Sequence, residues 1–373
     1  MILAHAARVK NTKTVMANIE NAQYYIGLMS GTSLDGVDGV VVDSVNQKIV
    51  GQAYLPYSEA LKSSLRQLTQ SGQTSLENLA EIDIQVADVF SNTVLLLLSN
   101  AGLAPNEIVA IGSHGQTVYH QGGKYSMQIA HGALIAQKTN ITTVADFRMQ
   151  DVAAGGQGAP LTPLYHLHLL NGKPGMVINL GGIANLTQLS GESVIGFDTG
   201  PANTLLDNWI KQHKSLDYDR DGLWARSGFV IQTLLDKILA DAYFQEDIPK
   251  STGPEYFNLA WLNKLLTGDE AAKDVQRTLL ELTALSISHF IKPNTDVYLC
   301  GGGVHNAFLV ERLMYLNPSS RIMSTNDLGV HVDYVEAAAF AFFAQRTLAG
   351  KTSNLTEVTG AKQTRILGAI YAI

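Results

Sequence analysis

Several short stretches carry residues whose types and spacing suit chemistry on a phosphorylated small molecule. The first is GTSLDGVD, comprising Gly31, Thr32, Ser33, Leu34, Asp35, Gly36, Val37 and Asp38. Glycine lets backbone N–H groups approach a polyanion, so the run reads either as a phosphate cradle or as an ordinary glycine-rich hairpin turn. On the first reading Asp35 and Asp38 would repel bare phosphate, which calls for a divalent cation between acid and nucleotide. The second is Asp198, between Gly196 and Gly200 in GFDTGPAN. Its carboxylate, in a tight and partly dry turn, is either a general base or the cap of the helix that follows. Asp146 and Arg148 in ADFR form either a structural ion pair or the rim of a pocket. In a pocket the guanidinium would hold an acidic substrate group or a transferring phosphate. Finally, Gly301, Gly302 and Gly303 precede Asn306 in CGGGVHN, a turn against which a nucleoside or sugar can lie with no side chain between.

Other candidates fall away. DYDRDG at 217–222 imitates the opening of a calcium loop, but its twelfth position is Gly228 instead of a bidentate Glu. Histidines 114, 120, 131, 166 and 168 have no zinc spacing, so no metal site of protein ligands is expected. Ser33 and Ser113 lack the G-x-S-x-G context of a serine hydrolase. A net charge of −7 argues against nucleic acid or an anionic membrane as the main partner. The single cysteine, Cys300, excludes an internal disulfide and fits a reducing compartment.

The elements that must position these residues alternate between strand and helix, which implies an α/β fold. Tyr24–Asp43 reads as strand, tight loop, strand, extended by a further strand from Gln47 to Tyr57. Leu61, Leu65 and Leu68, then Leu76, Leu79, Ile82, Val86 and Val89, mark two amphipathic helices. A buried strand at 108–117 ends in a polar loop, and MVINLGGIANLTQL at 176–189 repeats the opening strand–glycine turn–strand theme. Two such units about 150 residues apart suggest internal duplication. The 335–348 stretch predicts a buried helix and 364–373 a closing strand. TVLLLLS at 93–99 is too short to span a bilayer. Residues 1–23 hold no apolar core for a signal peptide and are expected to be a disordered extension.

Taken together, the two glycine hairpins, the GGG turn and the intervening Asp resemble the sugar kinase, actin and heat-shock ATPase superfamily. More specifically, GLMSGTSLDGVD, SHGQTVYH, VADFRMQDVAAGGQGAPL, NLGGIANLT, FDTGPAN, STGPEYF and CGGGVHN resemble the signatures of the anhydro-N-acetylmuramic acid kinase family. The resemblance covers nearly the whole chain from Tyr24. It implies two RNase H-like lobes with a nucleotide and sugar cleft between them, the lobes spanning 24–145 and 146–373, with the last strand free to return to the first lobe. It also implies an enzyme that uses ATP and Mg2+ to open 1,6-anhydro-N-acetylmuramic acid with water and phosphorylate it, in cytoplasmic recycling of peptidoglycan. Gly31 to Asp38, Asn179, Gly181, Gly182, Gly301, Gly302, Gly303 and Asn306 would bind nucleotide, and Asp198 would be the catalytic base. His114, Gln116, Thr117, Asp146, Arg148 and Asn203 would contact the sugar. Its partner is a small anhydro-amino sugar, with neither nucleic acid nor membrane, and a homodimer is compatible with the family. An actin-like or chaperone-like ATPase without a sugar is the alternative. Two departures stand out: Ala202 where Gly is expected, and Pro254 where a polar or basic residue is commoner.

Overall fold

The computed structural model describes residues 23–191 and 193–373, so the extension expected over 1–23 lies outside the described residues except for Gln23. In chain order the strands are β1 (Tyr24–Ser30), β2 (Gly36–Asp43), β3 (Lys48–Pro56), β4 (Ile108–Gln121), β5 (Tyr125–Ile129) and β6 (Thr143–Ala145). They continue with β7 (Gly175–Leu180), β8 (Ile183–Ser190), β9 (Ser193–Pro201), β10 (Asp296–Cys300), β11 (Arg321–Ser324) and β12 (Ala369–Tyr371). One sheet has the order β12-β6-β4-β1-β2-β3, with β5 paired to β4, and the other the order β11-β10-β7-β8-β9. Each begins with an antiparallel meander, β1–β2–β3 or β7–β8–β9. Each then adds two parallel strands on the far side of its first strand, β4 and β6 or β10 and β11. The same path is followed twice, which is the duplication read from the glycine turns and the topology of an RNase H-like α/β sheet.

The chain divides into two compact units, one holding the described residues up to Leu164 together with Glu336–Ile373, the other Tyr165–Val335. The boundary therefore falls at 164/165 and not at 145/146. The returning segment is also much longer than a last strand. Its anchor is the helix Val335–Leu348, whose backbone lies directly on β1 and β4. A Cβ on Gly27 would stand 1.8 Å from the Ala337 carbonyl oxygen, and one on Gly112 1.9 Å from that of Phe340. Only glycine at both positions leaves room for the helix to approach so closely. Being apolar nearly all round, as Ala337–Ala339 and Phe340–Phe343 make it, this helix belongs inside a fold.

The first unit's core packs Ile26, Leu28, Val37 and Val41 of the sheet against Ile82, Val86, Phe90, Val94 and Leu97 of the helix Leu76–Ala101. Ser75 caps that helix by accepting the Asn78 N–H at 3.1 Å, and Gly102 ends it at φ +65°. By length and composition it could cross a membrane, yet its apolar stripe is committed to this core. Leu76, expected on the buried face, is 86% exposed, because the packed stripe starts at the partly buried Leu79 and is fully buried from Ile82. The second unit's core sets Ile178, Leu180, Leu186 and Phe197 against Leu205, Leu206 and Trp209 of the helix Asn203–Lys214 and Leu279, Leu280 and Leu282 of the helix Ala272–Ser288.

Replacing Gly112 by alanine forces the 335–348 helix off β4. Overpacking of this kind should cost about 3 kcal/mol or more. The expected result is a clearly lowered thermal-melting midpoint for the variant, and an unchanged midpoint would show that the helix gives way without loss.

Candidate active site

In the second unit, Asp198 lies on β9, with 9% of its surface exposed. Antiparallel pairing sets it opposite Asn185 of β8, where the register slips by one residue between Ala184 and Asn185. That bulge aims the Asn185 amide at the carboxylate, and its Nδ2 donates to Oδ1. Oδ2 accepts from the Thr252 N–H at 2.9 Å and from Ser251 Oγ at 3.1 Å. The backbone of Asp198 is fastened too, its N–H to the Lys250 carbonyl at 2.9 Å and its own carbonyl to the Tyr243 hydroxyl at 2.8 Å. Burial raises the carboxyl above the usual aspartate range, while the bonds from Thr252, Asn185 and Ser251 pull the other way. The helix Asn203–Lys214 starts after Ala202 with no side-chain cap, so the capping alternative for Asp198 does not apply. What remains is a fixed carboxylate with raised basicity, suited to take a proton.

Around it stands the second glycine turn. Asn179, one residue before the end of β7, lies opposite Asn185. The Gly181 and Gly182 carbonyls accept from the backbone N–H groups of Asn203, Ala202 and Thr204, which joins the turn to the start of the 203–214 helix. Asn203 Nδ2 donates to the Leu180 carbonyl at 2.9 Å, so its amide ties this helix to β7. In the GGG turn, Gly301 and Gly303 pack closely against Asn179 and Leu180, whereas a Cβ on Gly302 would meet nothing within 4 Å. Asn306 Oδ1 accepts the Leu309 N–H at 3.0 Å and caps the helix Ala307–Leu316. That carboxamide oxygen is spent on the cap.

In the first unit, the 31–35 turn is braced from beneath. Ser30 Oγ donates to the Gly36 carbonyl at 2.6 Å, stands 2.7 Å from Gln116 Oε1, and accepts from the Tyr57 hydroxyl at 3.0 Å. Gln116, fully buried, donates from Nε2 to the carbonyls of Gly31 and Thr117. It therefore shapes the turn and is not open to a sugar. Thr117 Oγ1 accepts from Gln128 at 3.0 Å. Thr32, Ser33 and Asp35 are exposed, and space beside Gly31 is open. Leu34 and Val37 are not: their side chains are 5% and 0% exposed and belong to the core, because apolar groups flank the polar run. Only their backbone groups can serve an anion.

Asp146 and Arg148 do not pair with each other. Asp146, at φ +60°, accepts the Tyr371 hydroxyl at 2.6 Å. Arg148 donates from Nε to His114 Nε2 at 2.8 Å and from Nη1 to the Gly158 carbonyl at 3.0 Å. Accepting at Nε2 leaves the His114 proton on Nδ1, which donates to the Gly115 carbonyl at 2.8 Å. Burial, then the Arg148 charge, hold this imidazole neutral, well below the usual histidine range. His114 and Asp146 meet in a cavity of about 130 Å³, lined also by Asp83, Gln128, His131 and Tyr371. Sequence reasoning missed Asn185, Ser251, Thr252 and Tyr371 as partners of the candidate residues. The first three lie within NLGGIANLT and STGPEYF, so their signal was present as motif but not as contact.

A sequence model described as anhydro-N-acetylmuramic acid kinase matches residues 23–373. The protein of that name from Nitrosomonas europaea is 45% identical over 362 residues, covering 93% of this chain and 99% of its own. The one from Pasteurella multocida is 47% identical over 368 residues, covering 94% and 97%. Among solved structures, component A of (R)-2-hydroxyglutaryl-CoA dehydratase from Acidaminococcus fermentans is similar at 12% identity and a TM-score of 0.48, covering 88% of this chain and all of its own.

Asn185→Ala or Ser251→Ala removes a donor that favours ionised Asp198. The carboxyl 13C shift of that residue should then titrate at higher pH than in the unaltered protein. A midpoint that stays put or falls would show that these bonds do not stabilise the carboxylate.

Proposed function

The chain belongs to the anhydro-N-acetylmuramic acid kinase family, and from that premise we propose that it converts 1,6-anhydro-N-acetylmuramic acid, ATP and water into N-acetylmuramic acid 6-phosphate and ADP. The observation that carries the chemistry is the buried, firmly held Asp198 carboxylate of raised basicity. In this reading Asp198 takes a proton from a water attacking the anomeric carbon. The new C1–O bond forms as the C1–O6 bond breaks, and the electron pair leaves with O6. O6 then attacks the γ-phosphorus of ATP, ADP departs, and one proton per turnover is released to solvent. Holding water, sugar and phosphate in register supplies most of the advantage, as is general for phosphoryl transfer.

The remaining residues support this by their chemistry. Thr32, Ser33 and the open backbone beside Gly31 offer donors to phosphate oxygens, as does the Asn179–Gly182 turn. Exposed Asp35, with Asp38 behind it, fits a hard cation with oxygen ligands, so these residues would hold Mg2+, which shares the charge of the phosphates when bound. Gly302, open on its glycine side, gives the adenosine a flat seat. His114, Asp146 and Arg148 would face the sugar. Gln116, Asn203 and Asn306 act from behind, holding the turns and helix starts. The buried Cys300, the one cysteine of the sequence, fits a reducing cytoplasm, where we place the reaction. A homodimer remains compatible with family membership.

Asp198→Asn should lower turnover by roughly 10²–10⁴ while ATP still binds, the usual worth of a general base. Turnover in ¹⁸O-water, read before anomeric exchange, should leave label on C1 of the phosphorylated sugar and none on the phosphoryl group. Near-normal turnover in the Asn variant would remove Asp198 from the mechanism. Sugar-independent ADP release would point to a plain ATPase.

A further inference from the structure

Two of the three donors to the Asp198 carboxylate sit on a loop that has no helix or strand of its own between the helices Ala242–Gln245 and Leu259–Asn263. What holds Ser251 and Thr252 to the base is the residue directly before them. Lys250 has only 8% of its surface exposed, an unusual depth for a lysine without a charged partner. Among the described residues, no carboxylate stands at ion-pair distance from its ammonium. Nζ instead donates to the Tyr243 carbonyl at 2.7 Å and lies 4.5 Å from the centre of the Tyr243 ring. Burial pulls the ammonium below the usual lysine range, and the Glu246 charge opposes this from further away. Sinking a cation without a counter-ion is costly, and an apolar side chain would fill the same space without that cost. The charge therefore serves a purpose that filling does not.

Both ends of Lys250 lead to Asp198. Its backbone carbonyl accepts the Asp198 N–H at 2.9 Å. Its ammonium seats Tyr243, whose hydroxyl donates to the Asp198 carbonyl at 2.8 Å. Burial, then the charges of Asp198 and Glu246, raise this phenol above the usual tyrosine range, so the hydroxyl keeps the proton that it donates. A cation on an aromatic face draws on its electron density and makes such a hydroxyl a stronger donor. The backbone of Asp198 is thus gripped on both sides, and the two residues that follow Lys250 are carried to the carboxylate.

We propose that Lys250 and Tyr243 are positioning residues for the base, a clamp that sets how closely Ser251 and Thr252 meet the Asp198 carboxylate. They act through Asp198 and its loop and not on the reactants. The catalytic consequence rests on the kinase reading above, whereas the effect on the ionisation of Asp198 does not. Opening the clamp loosens two donors to the ionised form, so the carboxyl should climb further above the usual aspartate range. The acidic limb of kcat/KM, on which the base loses its proton, should move with it to higher pH. Besides the clamp pair, Glu255 on the same loop acts on Asp198, and its charge already adds to the rise.

The test titrates the full chain labelled with carboxyl-13C aspartate, the Asp198 signal being assigned by its absence from Asp198→Asn. Lys250→Met keeps the length of the side chain and removes the ammonium. Its Asp198 midpoint should rise by about one pH unit, the acidic limb of kcat/KM should follow, and kcat on the plateau should fall about tenfold or more. A lysine that only filled the loop would lower the melting midpoint of the protein and leave the Asp198 midpoint in place. Tyr243→Phe keeps the ring under the ammonium and removes only the donor to the Asp198 carbonyl; it should shift the Asp198 midpoint the same way by less, and it serves if Lys250→Met melts too low to study. Combined with Ser251→Ala, Lys250→Met should shift that midpoint by less than the two single changes added, because the lysine acts through that donor. An unmoved Asp198 midpoint in folded Lys250→Met, or in Tyr243→Phe where that variant stands in, overturns the clamp. Full additivity with Ser251→Ala overturns its action through the loop. Absence of sugar-dependent ADP release from the unaltered protein would overturn the kinase reading, while the titration of Asp198 would still decide the clamp.

Discussion

A carboxylate taken out of water must be offered hydrogen bonds in return, and the second unit is arranged around meeting that demand at Asp198. The three donors come from two places in the chain: Asn185 across the sheet, and Ser251 and Thr252 from a loop fifty residues on. Each needs its own support. The bulge at Ala184/Asn185 sets the amide, and Lys250 holds the loop by accepting the Asp198 N–H on its carbonyl and sending its ammonium to the Tyr243 carbonyl at 2.7 Å. Tyr243 closes the ring by donating to the Asp198 carbonyl. Burial still outweighs these bonds, and that balance leaves the carboxylate basic while its direction stays fixed.

The duplicated strand order makes a comparison between the two glycine turns meaningful. Both sit between the first and second strands of their sheets. They are stiffened by different means. In the first unit the brace is a buried polar set, Ser30, Gln116 and Tyr57, placed under the turn by β1, β4 and the end of β3. In the second, the helix Asn203–Lys214 gives up its first N–H groups to the Gly181 and Gly182 carbonyls. The first arrangement leaves hydroxyls and an acid facing outward, and the second consumes helix-start donors internally. Duplication has kept the path of the backbone while the groups offered at the two turns have diverged.

Much of this was legible from local pattern. The strand–glycine–strand runs, the helices at 59–71 and 335–348, and the separateness of Asp198 follow from residue periodicity and turn chemistry over a few positions. The unit boundary was not, because it depends on a helix from residue 335 onward settling on Gly27 and Gly112, a contact visible only as glycines in otherwise apolar strands. Side-chain roles were harder still. Leu34 and Val37 share a motif with Thr32 and Ser33, yet the turn leaves the two hydroxyl residues outside while Leu34, at φ +58°, and Val37 at the start of β2 enter the core. Asn306 and Asn203 look like ligand contacts in sequence because cap and tether residues are small polar amides as well. Asp151, three residues beyond Arg148, gains its meaning only from Asn354 and Thr359, some two hundred residues away.

The buried ionisable groups also oppose one another in their dependence on acid. His114 and His166 are held neutral by burial, the latter pushed down to about 3 beside Thr187 Oγ1 at 2.9 Å. Unfolding frees both to bind protons near the ordinary histidine value of 6.5, so the stability they contribute is present above that pH and lost as pH falls below it. Asp198 has the reverse sign: its raised folded value means its contribution is present at low pH and lost as pH rises through that value. Around neutrality the histidines are therefore stabilising in their neutral form, while ionised Asp198 carries an uncompensated desolvation cost. That is the same condition which makes it a proton acceptor. The strain of the site and its basicity are one quantity seen from two sides, and a change that relieved the first would diminish the second.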